Sequence, residues 1–312
     1  AAQLAAIARS RGPDRFFVDE VHDPIWQPEL PVVLVGPAVL RALLGDARLP
    51  PGALEAGPIA PTPLGRTVSG HVAATVEDAP TTNVAGYIPG SDAALRDEFI
   101  AFTAHYDHLG IGAPDAGGDS IYNGFSDNAA GVAMLLAIAE TMRAAPPDRS
   151  VLFLFFAAEE RGLLGSTYYT TRPLVPLERT AAVINLDAGA PPAPPVSWRI
   201  AGDSIGLGPL ARDVAASHGW TATLSGASPN TDYWPFLTRG VPAIFIVPGN
   251  EWEGVSAEGR EVLRERWDHY HQPSDEWSAE FPFRGVARYA DFALEVGRAA
   301  AQRSFAPPPI RK

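Results

Sequence analysis

The sequence contains no cysteine among its 312 residues. This absence excludes disulfides, thiolate metal sites and a cysteine nucleophile, and it leaves His, Asp and Glu as the good metal ligands. Long apolar runs are also missing, since the longest, residues 151–158, is far shorter than the ~20 residues that a membrane-spanning helix needs. No segment at the start has the basic-then-apolar pattern of a signal peptide. We therefore expect no membrane span.

Positive charge is scarce in this chain. Lys and Arg number 24 against 36 Asp and Glu, which gives a formal net charge of -12 at pH 7. Nucleic-acid binding depends on clustered Lys and Arg, and the basic residues here are scattered along the sequence. We therefore expect no nucleic-acid partner, and the acidity is typical of a soluble protein.

Three regions differ in composition. Residues 1–48 read as helix, strand, strand and helix, a segment too small to bury a core alone. Residues 49–66 are rich in Pro and Gly and predict a linker. In residues 67–312, strand-like runs such as EFIAFTAHYD and VLFLFFAA alternate with helical ones. This alternation predicts an α/β three-layer sandwich, in which helices cover both faces of a mixed, centrally parallel sheet.

Several predicted strands end in polar side chains that can bind metal. The carboxyl ends of parallel strands meet at one edge of a sheet, so side chains placed there lie close together. A turn before a helix and the loop YHQPSD each add one more such side chain. The side chains from the strand ends, the turn and the loop together make a complete ligand set for two zinc ions. These residues are His105, Asp127, Glu159, Glu160, Asp187 and His271.

Each of these residues also has an ordinary structural interpretation. Asp127 could cap the helix that follows it, Asp187 could belong to a turn, and His271 could be a surface histidine. The pair Glu159 and Glu160 is harder to explain in this way, because adjacent carboxylates beside an apolar core repel each other without a cation. The joint pattern favours a metal centre.

Six segments, taken in order, resemble the co-catalytic zinc aminopeptidases of peptidase family M28. They are AHYDHLG, NGFSDNAAGVAMLL, FLFFAAEERGLLGS, INLD, TDYWPFLTRGVPAIFI and YHQPSD, and the resemblance as a whole covers about residues 67–303. The resemblance implies the zinc exopeptidase fold, two Zn²⁺ per chain, and a cis peptide between Asp127 and Asn128. It also implies that Asp127 bridges the two ions and that Glu159 is the general base. The metal ligands that it implies are His105, Asp127, Glu160, Asp187 and His271.

The resemblance predicts an aminopeptidase that acts on peptides with a free N-terminus, in a secreted or periplasmic location. Two zinc ions would activate a shared water and polarise the scissile carbonyl, while Glu159 moves the proton to the leaving amine. Three alternatives remain open: a single-zinc aminoacyl cyclase, a carboxypeptidase on the same fold, and a non-catalytic binding module. Loss of ligands would indicate a binding module, and no ligand position is lost here.

Further side chains have predicted roles beside the ligands. Asp107 lies two residues after His105 and is expected to orient its imidazole, or else to be a solvated turn residue. Tyr270 resembles a family tyrosine whose hydroxyl stabilises the oxyanion, although a packing role is the alternative. Trp234 and Phe236 line a substrate pocket or belong to the core. His108 and His269 receive no role.

Residues 1–48 are similar to the second half of the protease-associated domain that many of these peptidases carry as a lid. The first half of that domain is absent from the sequence. A partial lid predicts a more open cleft and weaker selection on substrate length, because closure fixes the substrate and excludes water.

Overall fold

The computed structural model of the protein describes residues 37–44 and 78–308. Helix α1 (Pro37–Leu44) belongs to a unit separate from the sheet-containing one and confirms the helix predicted there. The strands predicted within residues 1–48 and the linker predicted at 49–66 lie outside the described residues, as does nearly all of the run TVSGHVAATVED, residues 67–78, for which the sequence also predicts a strand.

Within residues 78–308, seven strands form one sheet, and a two-stranded hairpin lies apart from it. The sheet strands are β1 (Val84–Ile88), β2 (Phe99–His105), β5 (Ser150–Phe156), β6 (Thr180–Asn185), β7 (Ser197–Gly202), β8 (Thr221–Ser225) and β9 (Ala243–Pro248). The hairpin strands are β3 (Gly110–Ile111) and β4 (Ile121–Tyr122).

The centre of the sheet is parallel, as predicted. Its strand order is β1-β5-β2-β6-β9-β7-β8. The four strands β5, β2, β6 and β9 run parallel to one another, whereas β1 and β7 pair antiparallel with β5 and β9. The carboxyl ends of the four central strands therefore lie along the same edge.

Helices cover both faces of this sheet, which confirms the three-layer α/β sandwich. The helices of residues 78–308 are α2 (Ala130–Ala144), α3 (Leu164–Thr171), α4 (Leu207–Ser217), α5 (Tyr233–Leu237), α6 (Ala257–Trp267) and α7 (Arg284–Ala300). The cluster that contains α2, α4 and α7 takes Ile100, Phe102 and Ala104 from β2, while Ala101 packs in the opposite cluster with α3 and α5. Successive side chains of β2 point to opposite faces of the sheet, so this strand contributes to both hydrophobic cores.

Phe236 belongs to the second core and not to a substrate pocket. Its side chain is completely buried and lies against the rings of Phe156 and Tyr169. The prediction that Phe236 lines a substrate pocket is therefore wrong, and its alternative, the core, is correct. Trp234 is half-buried. Among the described residues, no helix is both long and apolar enough to cross a membrane.

Candidate metal centre

The first group of potential ligands gathers around His105, the last residue of β2. Its side chain is 1% exposed, and its Nε2 atom lies 3.0 Å from Asp127 Oδ1 and 2.9 Å from Asp187 Oδ1. Asp187 follows the end of β6, the strand next to β2. Ligand atoms of these three residues lie within 4.8 Å of one another, which is close enough to hold one metal ion.

A second group forms on the other side of Asp127. Its Oδ2 atom lies 3.1 Å from His271 Nε2, and that nitrogen lies 3.3 Å from Glu160 Oε2. His108 also belongs here, because its Nδ1 atom lies 2.9 Å from Glu160 Oε1. Asp127 therefore directs one carboxylate oxygen toward each group, which is the placement that a bridging ligand requires.

The turn that presents Asp127 is held from two sides. It spans Phe125–Ala129, and the peptide between Asp127 and Asn128 is cis, which confirms the prediction. The Asn128 side-chain amide donates to the Leu186 carbonyl at 3.0 Å. Asp275 accepts hydrogen bonds from the backbone N–H groups of Ser126 and Asp127. The N-cap residue of α2 is Ala129, and the Asp127 carboxylate lies against His105 and His271, so Asp127 is not the helix cap that the alternative interpretation proposed.

Asp107 contacts His105 in a different way from the one predicted. His105 Nδ1 lies 3.0 Å from the backbone carbonyl oxygen of Asp107 and 3.6 Å from its Oδ1 atom. The Asp107 carboxylate instead accepts hydrogen bonds from the backbone N–H groups of Glu159 and Glu160, at 3.1 and 3.4 Å. The carbonyl therefore orients the imidazole, and the carboxylate fixes the strand end that presents the two glutamates.

A chain of buried polar side chains, which the sequence analysis missed, holds Asp187. The Thr231 hydroxyl donates to Asp187 Oδ2 and accepts from the Asn185 amide at 2.7 Å. The Asn185 side-chain carbonyl in turn accepts from the Thr103 hydroxyl at 2.6 Å. Polar residues at buried strand positions, such as Thr103 and Asn185, were the available sequence signal.

The histidines of the centre retain their protons more strongly than free imidazoles. Burial lowers the pKa of His105, but the charge of Asp187 and hydrogen bonds to neighbouring carboxylates outweigh burial and raise it well above its usual value. Partial burial lowers the pKa of His271, but its contacts with Asp127 and Glu160 prevail and raise the pKa to about 9. Protons and a metal ion would therefore compete for the ring nitrogens of these histidines.

The carboxylates respond to burial and to the histidines in different ways. Burial favours a higher pKa for Asp127 and Glu160, but close contacts with the surrounding histidines outweigh it and hold both pKa values below the usual range. Burial raises the pKa of Asp187 despite the nearby charge of His105. Asp127 and Glu160 are therefore the anionic members of the second group.

Glu159 has surroundings of its own. It is half-buried, and in the described part of the chain it belongs to neither of the two ligand groups. Burial, followed by the charges of Asp187 and Asp232, raises its pKa well above the usual value. Burial also raises the pKa of Asp232, to about 7. A carboxyl group with a raised pKa beside a metal-ligand cluster has the properties of a general acid or base.

Tyr270 lies at the opening of the centre. Its side chain is 62% exposed, and its ring stacks on the His271 imidazole with the two centroids 3.8 Å apart. The predicted contact of its hydroxyl with an oxyanion stays a prediction. His269 is half-buried, and its Nε2 atom lies 2.9 Å from the Arg266 carbonyl oxygen.

Comparisons with known proteins show what the chain is similar to in sequence and in fold. Aminopeptidase YwaD of Bacillus subtilis is 27% identical over 188 residues, which are 57% of this chain and 36% of that protein, so this chain matches well under half of that relative's length. Among solved structures, BSAP, a zinc aminopeptidase from Bacillus subtilis, aligns with a TM-score of 0.50 at 24% identity and covers 69% of this chain and 48% of its own.

A structure of a different enzyme has the same fold. Glutaminyl cyclase from Porphyromonas gingivalis aligns with a TM-score of 0.51 at 21% identity, over 71% of this chain and 77% of that one. Both structural likenesses concern the fold alone. The sequence model of peptidase family M28 matches residues 83–296, a segment that includes the seven-stranded sheet and all the candidate ligands described above. The chain therefore belongs to peptidase family M28.

Proposed function

We propose that the protein is a zinc-dependent aminopeptidase that removes N-terminal residues from peptides with a free N-terminus. The observation on which the proposal depends is the position of Asp127, whose two oxygens face two separate ligand groups. A carboxylate whose two oxygens face different ligand groups can bind two ions at once, whereas a site for one ion would need only one of these groups. The name of the relative YwaD, an aminopeptidase, also supports the proposal.

The residues present fit two zinc ions. Zinc binds imidazole and carboxylate, and this chain offers both without any thiolate. The first ion would be held by His105, Asp127 and Asp187, and the second by Asp127, Glu160 and His271. When bound, the ions polarise the scissile carbonyl and lower the pKa of a water.

The chain's own residues would then move the protons and hold the substrate. Glu159, which has a raised pKa, would accept the proton from the attacking water and pass it to the leaving amine. The Tyr270 hydroxyl would donate to the oxygen on which negative charge develops. The acidic surroundings would attract the substrate's α-ammonium group, because clustered negative charges raise the local concentration of a positively charged group.

Two further parts of the proposal concern the rest of the chain. Residues 1–48 would form part of a protease-associated lid, and the protein would be secreted or periplasmic. Both depend on the family resemblance and on no contact in residues 78–308.

The test is hydrolysis of a panel of aminoacyl p-nitroanilides, together with a metal count on the purified chain. We expect release of p-nitroaniline, loss of activity after chelation, and recovery at two equivalents of zinc. The N-acetylated anilides should not be hydrolysed, because they lack the free amine.

Each alternative activity has its own readout in the same panel. Ring closure of an N-terminal glutaminyl peptide with one bound ion would indicate a cyclase. Release of the C-terminal residue from an N-blocked peptide would indicate a carboxypeptidase. Metal binding without turnover of any substrate would indicate a binding module and would contradict the proposal.

A further inference from the structure

His108 occupies an unusual position for a histidine without an assigned role. Its side chain is 6% exposed, and its Nδ1 atom lies 2.9 Å from Glu160 Oε1 and 3.9 Å from Asp127 Oδ2. The three residues His108, Asp127 and Glu160 offer ligand atoms that all lie within 4.8 Å of one another. The imidazole therefore faces the same point as the second ligand group.

The close contact between His108 and Glu160 does not satisfy either atom as a hydrogen bond. Among the described residues, both ring nitrogens of His108, Glu160 Oε1 and His271 Nε2 are buried without a hydrogen-bond partner. Buried polar atoms without a partner are costly, so native structures rarely contain several at one place. Lone pairs that converge without a shared proton are the arrangement of ligands around a cation.

The local backbone leaves room for the imidazole. Gly124, just before the turn that presents Asp127, has a φ of +68°, which favours glycine. A Cβ atom at Gly124 would lie 2.5 Å from the Asp127 carbonyl oxygen and 2.6 Å from His108 Cγ, so a larger residue there would displace the turn or the ring. The His108 ring also makes an edge-on contact with the His271 ring, with centroids 5.5 Å apart.

We propose that His108 is a further protein ligand of the second metal ion, together with Asp127, Glu160 and His271. This inference rests on the proposed function, which assigns only the last three residues to that ion. A fourth protein ligand would give the second site one more than the first, and a water shared by the two ions would make the second ion five-coordinate. The second ion would then be the more tightly held of the two.

A competing role for His108 is to orient Glu160 by donating a hydrogen bond to it. The two roles differ in the number of imidazoles bound to metal. In the Co²⁺-substituted protein, each ligating imidazole gives one strongly shifted, solvent-exchangeable N–H resonance in proton NMR. We expect three such resonances, from His105, His108 and His271, and a spectrum with two would overturn the inference.

Variants of His108 test the same point through metal affinity. His108→Leu removes the nitrogen ligands, and His108→Asn keeps a polar atom near the position of Nδ1. His218→Asn is the matched control. His218 is the C-cap residue of α4, where it pairs with Glu295 at the surface, and it belongs to neither ligand group. Zinc affinities are measured by competition with a chromophoric chelator, and folding of each metal-free variant is checked by circular dichroism.

We expect His108→Leu to weaken the tighter zinc by about tenfold or more and to remove one shifted resonance. His108→Asn should lie between this variant and the unaltered protein, and His218→Asn should bind zinc unchanged. Unaltered affinities in both His108 variants would overturn the inference, and if His108→Leu does not fold, the resonance count of the unaltered protein decides. Two bound ions and peptide hydrolysis in that case would leave the proposed function intact, whereas an unaltered protein that binds no metal would contradict both.

Discussion

Glu159 and Glu160 are adjacent in the chain but lie in different surroundings at the end of β5. Glu160 contacts His108 and His271, and these contacts lower its pKa. Glu159 belongs to neither ligand group among the described residues, and burial raises its pKa. The carboxylate of Asp107 holds the backbone of both residues, which keeps the two side chains in separate positions.

Substitution of each glutamate by glutamine separates the two roles. Glu159→Gln keeps the shape of the side chain but removes its basicity, so turnover should fall by about 10²–10⁴-fold while both zinc ions and substrate affinity are retained. Glu160→Gln should weaken binding of one zinc ion, and excess zinc should partly restore activity. Steady-state kinetics and metal analysis of the two variants measure these effects.

The opposite pattern would reverse the assignment. Loss of metal in Glu159→Gln with full metal content in Glu160→Gln would make Glu159 the ligand. Full activity in both variants would contradict the peptidase mechanism itself.

Individual residues differ in how well the sequence predicts them. The sequence could predict that the five candidate ligands lie together, because strand ends and the motifs around them place His and carboxylates at the same edge of the sheet. Thr231 and Asp275 could not, since each acts by a hydrogen bond to a residue far away in sequence, Asp187 or the Asp127 turn. His108 has no signal of its own, because its position depends on the course of the loop after β2.

At the scale of elements, the turn Phe125–Ala129 and the start of α2 are packed very closely. A Cβ atom at Gly131 would lie 2.2 Å from Asn128 Oδ1 and 2.5 Å from the Leu186 carbonyl oxygen. Asn128 bonds to that same carbonyl and accepts from the Gly131 N–H group. The glycine therefore permits the approach of the turn to the end of β6.

Gly131→Ala tests this packing. Alanine would favour the helix by about 1 kcal/mol, but displacement of the turn should cost more, so we expect a net loss of about 1–3 kcal/mol in the free energy of unfolding. Zinc affinity should also fall, because Asp127 belongs to the displaced turn. The measurements are denaturant unfolding of the metal-free protein and zinc competition.

Gly86→Ala is the control for the backbone effect of adding a methyl group. Gly86 lies in the edge strand β1, and nothing lies within 4 Å of a Cβ atom built there. This variant should differ from the parent protein by no more than about 0.5 kcal/mol. Equal effects of the two substitutions would show that close packing at Gly131 is not what holds the turn.

The elements themselves were predictable where their patterns were long or strongly apolar. The runs EFIAFTAHYD and VLFLFFAA became β2 and β5, and the longest helical patterns became α2 and α7. Strand β7, the edge strand β8 and helix α6 were not predicted. The β8 strand has partly exposed and exposed residues only, and α6 has no buried residue, so neither has a clear apolar period.

At the scale of the whole molecule, the central parallel strands bring the candidate ligands together at one edge of the sheet. Predicting the layers from the sequence was possible, because alternating strands and helices admit few arrangements. The order of the edge strands was not, since it depends on connections without a sequence signature. The lid predicted for residues 1–48 lies almost wholly outside the described residues and stays a prediction.

The central claim is that one carboxylate, Asp127, serves two metal ions. The most direct measurement is a crystal structure of the zinc-loaded protein with anomalous differences recorded at the zinc absorption edge. We predict two peaks about 3.5–4 Å apart, one on either side of the Asp127 carboxylate. A single peak at saturating zinc, or two peaks of which only one contacts Asp127, would contradict this account.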